Sequence, residues 1–260
     1  MDQPAPLPPL GVTRLVGQSF ALFFRHFAVF GPIALVPSVV VGLVQLAVLS
    51  DAALLGRNVD ALAALGPVLA SIGLSLVVGL VVMAMTTLAA YDIRTGRSLR
   101  MGQHLRRTLS AALPIAILGF LFYLAFLVGL ALLVLPGLYL MARYWVMAPA
   151  VLVEGAGFSG LSRAAELSRG YRWPILGAVL LLFVLLLLAT IGVTLLLGVA
   201  VDVALSQVTN QPGIMPALLF DTVTTALHYA ILSIFTALLY ARLREVKEGL
   251  GFEDLAKVFE

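Results

Sequence analysis

The chain has 260 residues, 62% of them apolar and 11% charged, with a formal net charge of +3. A soluble domain is roughly half apolar and a quarter charged, so these values exclude a soluble enzyme and leave no length for an independent soluble domain. With no cysteine, disulfides, thiolate nucleophiles and sulfur-ligated metal sites are excluded as well.

Residues 1–10 are Pro-rich and lack the basic start and short apolar core of a signal peptide, so a disordered tail is expected. From residue 11 the apolarity becomes helical: Val12, Leu15, Val16, Phe20, Phe23 and Phe27 share one face, and Arg14, Gln18 and Arg25 share the other. An interfacial helix divides its surface in this way. A membrane span needs about 20 mostly apolar residues. Six segments qualify, at residues 27–49, 65–90, 111–135, 138–153, 174–201 and 216–241. The fourth is the shortest, follows an expected turn at Pro136-Gly137 and contains Arg143 and Pro149.

Amphipathic stretches also precede the third and fifth spans. In residues 99–112, Met101, Leu105 and Leu109 oppose Arg100, Gln103 and Arg107; in residues 158–173, Phe158, Leu161 and Ala165 oppose Ser162, Arg163, Glu166 and Arg169. The expected architecture is therefore all-α and polytopic, with six transmembrane helices in three similar units of interfacial helix plus hairpin. Residues 11–245 form this membrane domain, and residues 246–260 form a charged tail with Glu253 and Lys257 at favourable four-residue spacing.

Lys and Arg are sorted across these spans. All but Arg57 and Arg143 fall before the first span, in alternate loops, or after the last span. Basic loops resist translocation, so both termini are expected in the cytoplasm and the chain in a bacterial inner membrane. The pI near 9.4 then reflects attraction to anionic lipid headgroups rather than nucleic acid. Arg100, Arg106, Arg107, Arg163, Arg169 and Arg172 are the headgroup candidates.

The run Pro136 to Trp145, Pro149 to Gly155, Leu161-Ser162-Arg163-Ala164, Leu167-Ser168-Arg169-Gly170 and the closing Tyr240-Ala241-Arg242-Leu243-Arg244 resemble the membrane domain that accompanies some bacterial glycerophosphoryl diester phosphodiesterases and its stand-alone relatives. The resemblance implies a six-helix inner-membrane protein. It implies no activity, because in the two-domain proteins catalysis belongs to a soluble barrel that this sequence lacks, and it supplies no catalytic residues.

An Arg near mid-span costs about 2.5–3.5 kcal/mol unless it snorkels or pairs. Arg143 is accordingly expected either to pair with Asp221, or with Asp202, near the loop opposite the basic ones, or to snorkel between Tyr139 and Tyr144. His228, with Thr190 and Thr194, could line a polar cavity, although Thr in membrane helices commonly satisfies itself through backbone carbonyls. Ser71, Ser75 and Gly79 form a small-residue ridge suited to close helix contact. Gly157-Phe158-Ser159-Gly160 resembles the nucleophile motif of rhomboid-type serine proteases, but charge sorting puts Ser159 in a loop and His228 near mid-bilayer, beyond the reach a base requires.

No cofactor is expected, and no metal site, since no His cluster has ligand spacing. The reading is a non-catalytic protein that binds or moves an amphipathic ligand, a lipid or a peptide, or stabilises a membrane assembly with another membrane protein or itself. A transporter with a polar midplane path is the alternative, and a rhomboid-like protease a third.

Overall fold

The computed structural model describes residues 9–54, 61–198 and 214–249, which are helical without a strand among them. In chain order the helices are α1 (Val12–Arg25), α2 (Phe27–Leu54), α3 (Ala61–Thr95), α4 (Met101–Leu132), α5 (Val134–Tyr144), α6 (Met147–Glu154), α7 (Gly160–Leu167), α8 (Arg172–Val193) and α9 (Ile214–Glu248). A 3₁₀ turn, Gly157–Ser159, leads into α7 and a π-helical turn, Thr194–Gly198, follows α8.

Among the described residues six stretches are long and apolar enough to cross a membrane: Phe27–Gln45, Leu69–Arg94, Met101–Leu132, Val134–Glu154, Arg172–Leu196 and Phe220–Glu248. Many of their large side chains stay outside the protein. Leu113, Phe120, Leu187 and Leu188 are all exposed, a surface that lipid solvates and water does not. The chain is an all-α polytopic membrane protein.

Local chemistry sets the helix boundaries. His26, at φ −117° and ψ 35°, separates α1 from α2. Gly170, at φ 86°, lies in the bend between α7 and α8, where a left-handed backbone favours glycine. The second amphipathic stretch has no such breaker, and here the structure corrects the expectation: residues 101–112 are the first turns of the continuous α4, with Pro114 inside the helix. The expected turn at Pro136-Gly137 is also displaced. Leu133 makes the turn in extended conformation (φ −164°, ψ 140°), and Pro136 falls in the first turn of α5, where its missing N–H is not needed.

The fourth span is two helices. Pro149 cannot donate to Trp145, and its ring crowds that carbonyl, so the helix breaks at Trp145 and Val146 and resumes as α6.

The fold comprises two compact units. The first contains Met1–His26, Ala84–Phe183 and Ile231–Glu260, and the second Phe27–Met83 and Val184–Ala230. Every Lys and Arg except Arg57 belongs by position to the first. In that unit α1 buries Leu15, Val16, Ser19 and Phe23 inside the protein, and the indole N–H of Trp145 donates to Thr236 Oγ1 at 3.1 Å while its ring meets Phe183 edge-on.

In the second unit small residues allow close approach. A Cβ on Gly42 would lie 2.7 Å from Thr222 Oγ1, and one on Gly79 3.5 Å from the Tyr229 ring. Gln45 Nε2 donates to Ser75 Oγ at 3.1 Å. Ser75 and Gly79 of the small-residue ridge thus both have neighbours inside the chain.

Candidate functional site

The first unit is organised around Glu154, the last residue of α6. Met147 to Leu152 are buried, and Gly155, at φ 69°, caps the helix. The carboxylate left at this end gathers three partners. Arg163 of α7 donates Nε to Oε2 at 2.7 Å and Nη2 to Oε1 at 2.9 Å, the Tyr240 hydroxyl of α9 donates to Oε1 at 2.5 Å, and Arg244 Nε lies 3.5 Å from Oε1.

Glu248, one turn beyond Arg244, uses both oxygens in the same network. Its Oε2 accepts from Arg244 Nε at 2.8 Å, and its Oε1 accepts from Arg163 Nη2. The bonds to Glu154 push the Arg163 guanidinium above its ordinary range; burial opposes them, and Glu248 adds to them. Forked guanidinium–carboxylate bonds of this kind are among the stronger polar contacts in proteins.

Beside this network is an open cavity of about 1170 Å³. Its walls carry Arg97, Arg100, Arg107, Arg163 and Arg244 against only Asp92 and Glu154. Arg163 and Arg244 are committed to Glu154 and Glu248, whereas Arg100 and Arg107 are exposed and make no ion pair among the described residues. The cavity therefore presents a surplus of positive charge at the start of α4.

His104 is on the same wall and is only 4% exposed. Its Nε2 is 2.7 Å from Asp92 Oδ2 of α3, while its Nδ1 is buried and has no hydrogen-bond partner. One turn along α4, the hydroxyl of Thr108 is buried and unpartnered too. Neither His104 nor Glu154 is among the residues that sequence reasoning singles out. Their sequence signals are the single acid that ends the apolar run Val151-Leu152-Val153, and the buried series His104, Thr108, Ala111, Ile115 and Leu118 at helical spacing.

The headgroup candidates separate into three groups. Arg100 and Arg107 line the cavity; Arg106 and Arg169 are exposed; Arg163 and Arg172 are held by other side chains. Arg172 donates to the Tyr139 hydroxyl and lies over its ring, 4.8 Å from the centroid.

Arg143 differs from the expectation. Its carbonyl accepts from Ser168 Oγ at 2.9 Å, which puts it against the segment bearing Arg169 and Arg172 rather than a turn below the opposite surface. Its guanidinium lies 5.1 Å from the Tyr144 ring centroid and makes no ion pair among the described residues. Asp221 is exposed, and Asp202 lies outside the described residues.

In the second unit, Thr190 Oγ1 donates to the Leu186 carbonyl at 3.0 Å and lies 3.1 Å from His228 Nε2, and Thr194 Oγ1 donates to the Thr190 carbonyl at 2.8 Å. These groups satisfy one another and the backbone. Thr190→Val is expected to lower stability by only about 0.6 kcal/mol, the usual size of an interhelical membrane hydrogen bond; unfolding in detergent micelles measures it. The Ser159 hydroxyl, in the first unit, donates to the Ala156 carbonyl at 2.7 Å.

No protein-family model, curated protein or solved structure matches the chain. Among the described residues there is no cluster of His, Cys, Asp and Glu able to hold a metal ion. The site is thus defined by its own geometry, a basic cavity at the ends of apolar helices.

Proposed function

We propose that this integral membrane protein has no catalysis of its own and binds an amphipathic ligand with an anionic headgroup, a membrane lipid, in the arginine-lined cavity. The observation that carries the reading is the imbalance of five arginines to two acidic residues around an open cavity, formed by helices whose outer surfaces are apolar. A lipid matches both features, since its phosphate meets the guanidiniums while its chains meet the apolar outer surfaces of the spans. The basic unit would face the cytoplasm of a bacterial inner membrane, with both termini on that side.

The non-catalytic part of the proposal is supported by the hydrogen bonds of Ser159 and His228, each occupied by groups other than a catalytic partner. The resemblance to the phosphodiesterase-associated membrane domain is in keeping with it and assigns no ligand. Mass spectrometry of molecules retained by the protein in mild detergent provides the test. Anionic lipid is expected to be enriched over its share of the source membrane. Arg100→Ala with Arg107→Ala is expected to weaken that lipid about ten- to thirty-fold, at roughly 1 kcal/mol for each charge near an anionic surface. Retention of lipids in bulk proportion, unchanged in the double variant, would reject the proposal.

A further inference from the structure

We infer that α4 and α5 form a hairpin that enters one leaflet from the basic side of the membrane and turns back within it, so that its partner is the acyl-chain layer of that leaflet alone. By length and composition each arm could cross, since Met101–Leu132 and Val134–Glu154 both qualify. Contacts nevertheless tie both arms to basic-side groups close to the turn. The Arg143 carbonyl accepts from Ser168 Oγ at 2.9 Å, Arg172 donates to the Tyr139 hydroxyl, and Lys247 Nζ lies 5.9 Å from the centroid of the Tyr171 ring. Charges so close together belong at the headgroups, not in hydrocarbon. From this anchor back to the turn at Leu133, α5 offers at most its 11 residues, about 16 Å of helix. The other arm has its own tie. A Cβ on Gly160, the first residue of α7, would lie 3.5 Å from Leu118 Cδ1, and α7 carries Arg163 in its network with Glu154 and Glu248. From Leu118 to the turn, α4 extends about 21 Å. Neither length crosses a hydrocarbon core of about 30 Å, whatever the tilt.

The tip has the chemistry of an end immersed in lipid. No charged residue lies between Arg107 and Arg143, and the turn itself, Leu132-Leu133-Val134-Leu135, is exposed throughout. A crossing hairpin would set these four side chains among headgroups or in water, whereas one that stops inside a leaflet sets them among acyl chains. Between residues 119 and 138 only Gly129 and Gly137 are buried, and they pack on each other's helix. The connection also leaves few free polar groups: Leu133 is the single residue between the helices, its N–H donates to the Gly129 carbonyl at 3.2 Å, and Pro136 has no N–H. At the base of the hairpin, Arg143, Arg169 and Arg172 suit the anionic headgroups of the leaflet it enters. α3, α8 and α9 each continue from the first unit into the second, and α4 and α5 do not. Residues 96–100 and 155–159, where the hairpin is entered and left, then share one side. The sorting of Lys and Arg is thereby kept with α2, α3, α8 and α9 as the crossing helices.

The chain has no cysteine, so one introduced thiol reports alone. Leu133→Cys and, as a reference, Arg169→Cys are made separately in the full chain and treated with a membrane-impermeant maleimide in right-side-out and in inverted membrane vesicles. Arg169→Cys is expected to be labelled in one orientation, and Leu133→Cys in neither until detergent is added. A bimane attached to Leu133→Cys, in liposomes of phosphatidylcholine and phosphatidylglycerol, is expected to be quenched more strongly by nitroxides on acyl chains than by nitroxides on headgroups. Leu135→Cys, exposed in the same turn, is the second variant should Leu133→Cys fail to fold. Labelling of Leu133→Cys in the orientation that leaves Arg169→Cys unlabelled would show a crossing hairpin and overturn the inference. Labelling in the same orientation as Arg169→Cys, or stronger quenching from headgroups, would put the tip outside the hydrocarbon and overturn it as well.

Discussion

Glu154→Ala is expected to destabilise the protein by about 3 kcal/mol, near the lower end of the range for breaking a buried ion pair. The lost carboxylate strands three groups at once: the Tyr240 hydroxyl, both donors of Arg163, and Arg244 at its longer distance. Tyr240 is fully buried and has no water to turn to. The two arginines keep Glu248, and their side chains retain 23% and 13% exposure, so water and the second carboxylate recover part of the loss. Glu154→Gln, which still accepts from Tyr240 but carries no charge, should fall about midway. The midpoint of unfolding in detergent micelles reports both.

Ligand affinity should move in the opposite direction to stability. Glu154 is one of only two acidic residues on the cavity wall, and its removal frees guanidinium charge toward the cavity. A less stable variant that nevertheless binds anionic lipid several-fold more tightly is expected from the charge distribution. A Glu154→Ala protein that melts with the wild type would mean that this network does not hold α6, α7 and α9 together.

The six apolar segments were legible in the sequence because length and composition suffice to mark a span, and α2 begins at Phe27 as the pattern indicates. Joins between elements were not. Nothing in residues 99–113 distinguishes a separate surface helix from the first turns of α4, since both have the same periodicity, and the difference is the lack of a breaker such as Gly170.

The site was missed for a more specific reason. Sequence reasoning marked the apolar side of α4 through Met101, Leu105 and Leu109, and these residues are exposed, while His104 and Thr108 are buried. In water an apolar stripe turns toward the protein. Along α4 the apolar stripe is left to lipid, and His104 and Thr108 turn into the protein, whereas α1 buries its apolar Leu15, Val16 and Phe23. Arg163, read as a headgroup candidate on the polar side of its stretch, is likewise held between Glu154 and Glu248. Arg143 was misplaced because the span was counted from Leu138 as one rod; α5 begins at Val134 and the rod breaks at Trp145.

Gly137→Ala is expected to cost about 1–3 kcal/mol, the range for forcing extra volume into a packed contact. A Cβ on Gly137 would meet the backbone N of Leu130 at 2.9 Å and its Cα at 3.1 Å, and one on Gly129 would meet the Cα and N of Gly137 at 3.0 Å. The obstructing atoms are backbone, so no rotamer change relieves them; α4 and α5 must separate. Separation is costly here because the turn supplies nothing in return. Leu132, Leu133, Val134 and Leu135 are 58–73% exposed, and in lipid no hydrophobic force presses two helices together, which leaves close packing as the main attraction. Gly119→Ala supplies the control. It lies in the same helix with no atom within 4 Å of its added Cβ, so it should gain about 0.5–1 kcal/mol by restricting the unfolded chain. Opposite shifts in unfolding midpoint are therefore expected from the same chemical change at two positions of one hairpin. Shifts of the same sign would show that α4 and α5 are not held by the contact of their backbones at Gly129 and Gly137.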